Sequence, residues 1–138
     1  MKTNLNAKER TYVERARVFH VGSAGKDGHP HTAPVSPAYD AKARTFYFAT
    51  ERGGRTATNL RARPRASVAV DDYSENWNSL HGVMLQARAR KLERGKEFEH
   101  SVQLLKKKFR QYRPMELDYI VALKVESVVA SWGLSGSR

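Results

Sequence analysis

The chain contains no cysteine, which excludes a disulfide framework, thiol catalysis and any metal centre built on thiolates. Acid is scarce: 14 Asp and Glu stand against 25 Lys and Arg, for a formal net charge of +11 and a pI near 10.2. Such a balance calls for an acidic partner, whether nucleic acid, a phosphorylated ligand or an anionic surface. The basic residues form no tail. They recur in 52–65, 88–96 and 106–110, so a solvated basic surface accounts for them better than a dedicated nucleic-acid groove. Long apolar runs are missing: none approaches membrane-spanning length, and Met1 to Arg10 lack the apolar core of a signal peptide. The expectation is a soluble, cytoplasmic protein. Its 138 residues suffice for one domain with a real core and leave nothing for a separate substrate domain. There is no internal repeat and no linker.

What is present reads mainly as strand. Asn6 and Glu9 have capping-box spacing, and a short helix is predicted from Ala7 to about Arg15. Val18 to Ser23 is β-branched and aromatic and stops at Gly25-Lys26-Asp27-Gly28, a turn signal. The return strand, His31 to Pro37, carries Pro34 and Pro37; each removes a ladder donor, which predicts an edge, a bulge or a barrel rim. Thr45 to Thr50 follows as a strand after the polar link Asp40 to Arg44. Thr56 to Arg63 makes a two-turn helix ended by Pro64. Ala66 to Asp71 is a strand, and Asp72 to Leu80 a loop with Tyr73 and Trp77 as aromatic anchors. His81 to Glu93 is the longest clean alternation, with Val83, Leu85, Ala87 and Ala89 on one face and Met84, Gln86, Arg88 and Arg90 on the other. A helix from Gly95 places Phe98, Val102, Leu105, Phe109 and Tyr112 on one stripe. Asp118 to Trp132 is the last strand, with a bulge predicted near Glu126 and Ser127. Six strands in hairpin order with interposed helices give a mainly β (α+β) class, an antiparallel Greek-key barrel with flanking helices.

One stretch carries chemistry. Ala49 to Leu60 joins a strand to a helix through Gly53-Gly54, flanked by Arg52, Arg55 and hydroxyls. Glycines admit an anion to the backbone, while arginine forks, hydroxyls and the N–H groups of the next helix donate to it. Taken locally, a phosphate cradle and an ordinary strand–turn–helix connection are equally good readings. Gly28 to Val35, Tyr47 to Thr50, Arg55 to Val68 and Gly82 to Ala89, in that order, together resemble the pyridoxamine 5′-phosphate oxidase-like superfamily of split β-barrels over nearly the whole chain.

The resemblance implies a single FMN-binding split-barrel domain over residues 1–138, a homodimer with cofactor sites at the interface, and FMN, or in one branch the deazaflavin F420, as cofactor. It implies that Thr32, Pro34, Val35 and Ser36 line the ring, that Thr50, Gly54, Arg55 and Thr56 hold the phosphate with Ala49 beside them in the cofactor site, and that Gln86 of the other subunit borders the ring. Trp132 reads equally as a border of the flavin or the dimer seam and as a packed aromatic closing the barrel. The usual Ser-Arg-Lys triplet is here Gly54-Arg55-Thr56, with Arg52 available as a replacement cation. No histidine follows Trp132, so vitamin B6 oxidation is not expected. The function implied is an FMN-dependent oxidoreductase on a small substrate. The alternatives are an F420-dependent reductase on the same fold, a flavin store or sensor, and a nucleic-acid-binding barrel without catalysis. No Ser-His-Asp order or close carboxylate pair stands out, so any catalysis belongs to the cofactor. Among the five histidines, His29 and His31 flank a proline and lack the third and fourth partners of a metal site. His20 reads as a core or interface histidine, His81 as the better functional candidate and His100 as an exposed helix residue.

Overall fold

The structure, a computed structural model, describes residues 2–135; the last three residues of the C-terminal segment that lacks a histidine lie outside the described residues. Helix α1 spans Ala7–Arg15, and its capping box forms as the spacing predicts: Glu9 N–H donates to Asn6 Oδ1 and Asn6 N–H to Glu9 Oε1, both at 2.8 Å. Burial pushes the Glu9 carboxyl up, but hydrogen bonds from Ser131, Lys2 and Asn6 outweigh it and hold the group below its ordinary value. The strands are β1 (Phe19–Ala24), β2 (Pro30–Val35), β3 (Ala38–Asp40), β4 (Thr45–Ala49), β5 (Arg65–Asp72), β6 (His81–Leu92) and β7 (Ile120–Trp132). Helix α2 (Arg55–Ala62) follows β4, and α3 (Lys96–Lys108) follows β6.

All neighbours are antiparallel, in the order β2-β1-β5-β6-β7-β4-β3. The sheet has seven strands where the sequence predicts six. The extra one, β3, falls partly in the stretch read as a polar link; three residues are too few to show a period, and pairing with β4 makes the strand. The two edges, β2 and β3, are successive in the chain and joined by Ser36-Pro37, so the sheet curls round until its ends meet. Pro34 sits on the edge strand β2, as predicted; Pro37 lies beyond that strand, in the link to β3. The bulge expected near Glu126 is present: Val125 opposes Ala87 and Ser127 opposes Gln86, which skips Glu126, and a second irregularity skips Val129.

Alternation puts Phe19, Val21, Phe46, Phe48, Leu85 and Leu123 into the barrel interior, each at most 1% exposed. Full burial of such side chains contributes about 1.5–3 kcal/mol apiece. Outside, the stripe of α3 packs Phe98, Leu105 and Phe109 over Tyr47, Ile120 and Ala122. The outer faces of β1, β5 and the first half of β6 have no such cover. Tyr73 and Trp77 are exposed at 67% and 72%, so they do not anchor the loop after β5; the Trp77 indole reaches only Tyr73 Oη at 3.4 Å.

Candidate ligand-binding site

Register brings together residues that lie far apart in sequence. Thr32 of β2 opposes Gly22 of β1, Gly22 opposes Ser67 of β5, Ser67 opposes Gln86 of β6, and Gln86 opposes Ser127 of β7. Direct partners share a face, so these residues make one cross-strand row on the outer surface. From Thr32 to Gln86 the row forms the floor of a cavity of about 490 Å³, whose lining includes His31 and Arg65. A methyl group on Gly22 would lie 2.3 Å from Ser67 Oγ, so only glycine leaves that hydroxyl its place. Ser127 Oγ donates to Gln86 Oε1 at 3.0 Å and fixes the amide on the floor.

A second cavity of about 400 Å³ lies between the β1–β2 turn and α2 and is lined by Lys26, His29, His31, Arg55 and Asn59 among others. It shares Pro30 and His31 with the first, so the two flank the start of β2. Asn59, buried, donates to Ser23 Oγ at 3.1 Å and ties α2 to β1. Gly54 is the N-cap of α2 without a side-chain cap bond, and the first bond of the helix runs from Thr58 N–H to Gly54 O at 3.0 Å. The N–H groups of Arg55, Thr56 and Ala57 therefore lack intrahelical acceptors and carry the positive end of the helix.

Of the residues singled out in the sequence, Thr32 and Gln86 meet in the first cavity and Arg55 lines the second. Pro34 is exposed on β2 opposite His20, Val35 is half-buried opposite Phe19, and Ser36 lies in the β2–β3 bend. Ala49 pairs with Ile120, and Thr50 N–H donates to Tyr119 O at 3.3 Å. Thr56 is 6% exposed, which leaves its hydroxyl little reach toward a ligand. Trp132 is at the other end of the sheet from Arg55; its ring lies over Gly82, where a Cβ would come within 2.3 Å of it. Arg52 is not a free replacement cation: it pairs with Glu93 at 2.9 Å and stacks on the Tyr119 ring, 5.3 Å from its centroid.

His81 is engaged, with Nε2 3.0 Å from Asp72 and Nδ1 3.0 Å from Ser79 O, beneath the edge of the Tyr12 ring. Burial, followed by the charges of Asp72 and Asp71, raises the Tyr12 phenol above its ordinary value. His20 stands exposed on the outer face, between Pro34 and Ala69. His100 is exposed on α3, as expected, and pairs with Asp40 at 2.8 Å. Among the described residues no three His, Asp or Glu side chains are grouped to hold a metal ion, and no helix is long and apolar enough to cross a membrane.

Gly22 and Ser67 were not singled out from the sequence, and His31 was weighed there only as a metal ligand. Gly22 gave a signal, a glycine interrupting a β-branched strand where another group approaches closely; Ser67 becomes visible only with the register.

Comparison with known proteins places this geometry. No curated protein matches the chain. Among solved structures it is similar to the haem storage protein HutZ of Vibrio cholerae, with 13% identity and a TM-score of 0.78 over 98% of this chain and 99% of that one. It is similar to a haem-binding protein of Mycobacterium smegmatis, with 19% identity and a TM-score of 0.76 over 94% of this chain, and spans 54% of that longer protein. A FAD-binding protein of Mesorhizobium loti shares 25% identity with a TM-score of 0.69, over 92% of this chain and 91% of that one. The profile of the pyridoxamine 5′-phosphate oxidase family matches residues 5–131: the chain belongs to that family, on the split-barrel fold that its sheet order builds.

Proposed function

We propose that the protein is a cytoplasmic FMN-binding oxidoreductase acting on a small substrate, and that it works as a homodimer with the cofactor at the interface. The observation that carries this reading is the pair of cavities either side of the start of β2, one with a polar floor and one lined by Lys26 and Arg55 with Asp27 beside them. Their volumes lie within the range typical of cofactor sites. The residues present fit the group in part. Arg55 and the free N–H groups of α2 would take the phosphate, with Lys26 in the same cavity, no lysine or serine next to Arg55 in sequence, and Thr56 turned inward. The free edge of β2 would face the ring, and Gln86 and Ser67 offer it an amide and a hydroxyl. FMN, when bound, supplies reversible hydride and electron transfer; the chain orients the ring, holds the phosphate and shapes the space for a substrate.

The visible spectrum of the purified protein and quenching of FMN fluorescence on titration test this. A colourless protein that leaves FMN fluorescence unchanged overturns it. Arg55→Ala should weaken FMN by about tenfold or more, the worth of one charge-assisted contact, and leave riboflavin unchanged; equal losses would remove Arg55 from the phosphate. Competition between FMN and F420 separates those two cofactors.

A second reading, haem binding, is favoured by His20, an exposed imidazole on a flat face with Pro34 and Ala69 beside it and Met84 on the next strand. It predicts a Soret band on haemin titration that His20→Ala removes.

A further inference from the structure

We infer that the outer face of the sheet carries a second anion site, the cross-strand row Arg65–Arg88–Lys124, which takes a ligand bearing two or more linked phosphate groups. Arg65 of β5 directly opposes Arg88 of β6, and Arg88 directly opposes Lys124 of β7. All three are exposed and share one face. Adjacent strands lie about 4.8 Å apart, so the row spans roughly 10 Å. Like charges directly opposite one another on a sheet are unfavourable, and here two such pairs adjoin. Compensation is slight: Glu126 approaches Arg88 at 3.6 Å with both side chains about half exposed, and among the described residues Arg65 and Lys124 form no ion pair.

The neighbouring cations are treated differently. One row toward α3, Arg90 is held by Glu97 through two bonds of 2.8 and 2.9 Å, and Lys91 and Arg52 share Glu93. The fold thus neutralises the cations beside the row and leaves the row itself to be neutralised from outside.

The length of the row selects the ligand. Beyond Lys124 the next partner is Thr45, 1% exposed, so the track ends there. Beyond Arg65 no further cation is paired across β1. A single phosphate reaches only part of a row this long, whereas a nucleic-acid strand would run past both ends. Linked phosphates match it, and arginine forks suit their oxygens. Arg65 and Glu126 also border the 490 Å³ cavity, which has room for the rest of such a molecule. The flavin reading also uses the 490 Å³ cavity, for its ring, but its phosphate contact, Arg55, lines the other one, so a loss at Arg55 and a loss at the row are distinguishable.

Calorimetric titration of the purified protein with tripolyphosphate, orthophosphate and a single-stranded oligonucleotide tests this. Tripolyphosphate should bind about tenfold or more tightly than orthophosphate, and Arg65→Gln combined with Lys124→Gln should abolish that preference. Arg55→Gln, and the charge-matched pair Lys8→Gln with Lys107→Gln, should leave it in place. The inference is overturned if the two phosphates bind alike, if the control pair loses as much as the row variant, if Arg55→Gln removes the binding, or if the oligonucleotide binds more tightly than tripolyphosphate. Unchanged circular dichroism of the exposed-residue variants keeps the comparison free of unfolding.

Discussion

At the scale of single residues, Gly22 and Glu97 have consequences that can be measured. Gly22→Ala brings its new methyl to 2.3 Å from Ser67 Oγ, and that exposed hydroxyl must turn into another rotamer, at a cost of about 1 kcal/mol or less. Ser67→Ala in the same chain removes the obstructing hydroxyl, leaves its Cβ at an ordinary 3.7 Å from the new methyl, and should recover most of that loss in urea melts. If the double variant is no better than the single, the contact is not what Gly22 serves. Glu97 is held by Arg90 and, through Tyr47 Oη at 2.8 Å, by the barrel wall; the bonds from Arg90 come first in lowering its carboxyl from 4.5 to about 2. A depressed carboxylate contributes stability that is present above its unfolded value and is lost as pH falls through the folded one. The window is therefore pH 4.5 down to about 2. Thermal midpoints of Glu97→Gln should fall less steeply across that window than those of the parent; parallel curves would show that the network does not hold the carboxylate.

At the scale of elements, α3 is tied to the rest of the fold by its last residue. Lys108 Nζ donates to Ala16 O, between α1 and β1, at 2.5 Å and to Pro37 O, in the β2–β3 bend, at 2.8 Å. Burial, with Arg17 nearby, lowers the amine from 10.5 to about 8. The unfolded chain therefore binds more protons than the folded one between those values, and this group makes stability rise with pH from about 8 to 10.5. Lys108→Met should abolish that rise in denaturation midpoints while loosening the bend that carries Ser36. In the interior, Phe46→Ala should cost about 3–5 kcal/mol, read from the shift in urea midpoint, because no neighbour can fill the space of a ring that is 0% exposed. Elements of this size were legible in the sequence. The capping box gave α1, the alternation of Val83 to Ala89 gave β6, and the stripe from Phe98 to Phe109 gave the packed face of α3. The short β3 was not legible, because its conformation comes from pairing with β4. The cavity floor was only partly legible: Thr32 and Gln86 were chosen by resemblance, but what unites them, Gly22 and Ser67, is a property of register across four strands.

At the scale of the whole molecule, the unclad outer face is where a second copy belongs in the proposed dimer. At the end that carries Gly82 it exposes Met84, Val129 and Trp132 at 43%, 41% and 36%, away from the cationic row Arg65–Arg88–Lys124. Light scattering of the protein should give twice the 15.7 kDa protomer mass, and Met84→Glu, by placing an unpaired charge at the centre of that face, should halve it. A parent protein of protomer mass would overturn the dimer. The sheet order carries one more consequence, for folding. Strand β4, and β3 through it, joins the rest of the barrel only by pairing with β7, the last strand of the chain. During synthesis, residues 38–49 leave the ribosome early, and the edge of β4 that pairs with β7 stays without its partner until residues 120–132 arrive. The barrel closes late and all at once, through contacts distant in sequence, which makes folding slow and makes the nascent β3–β4 hairpin the segment most in need of protection from other chains.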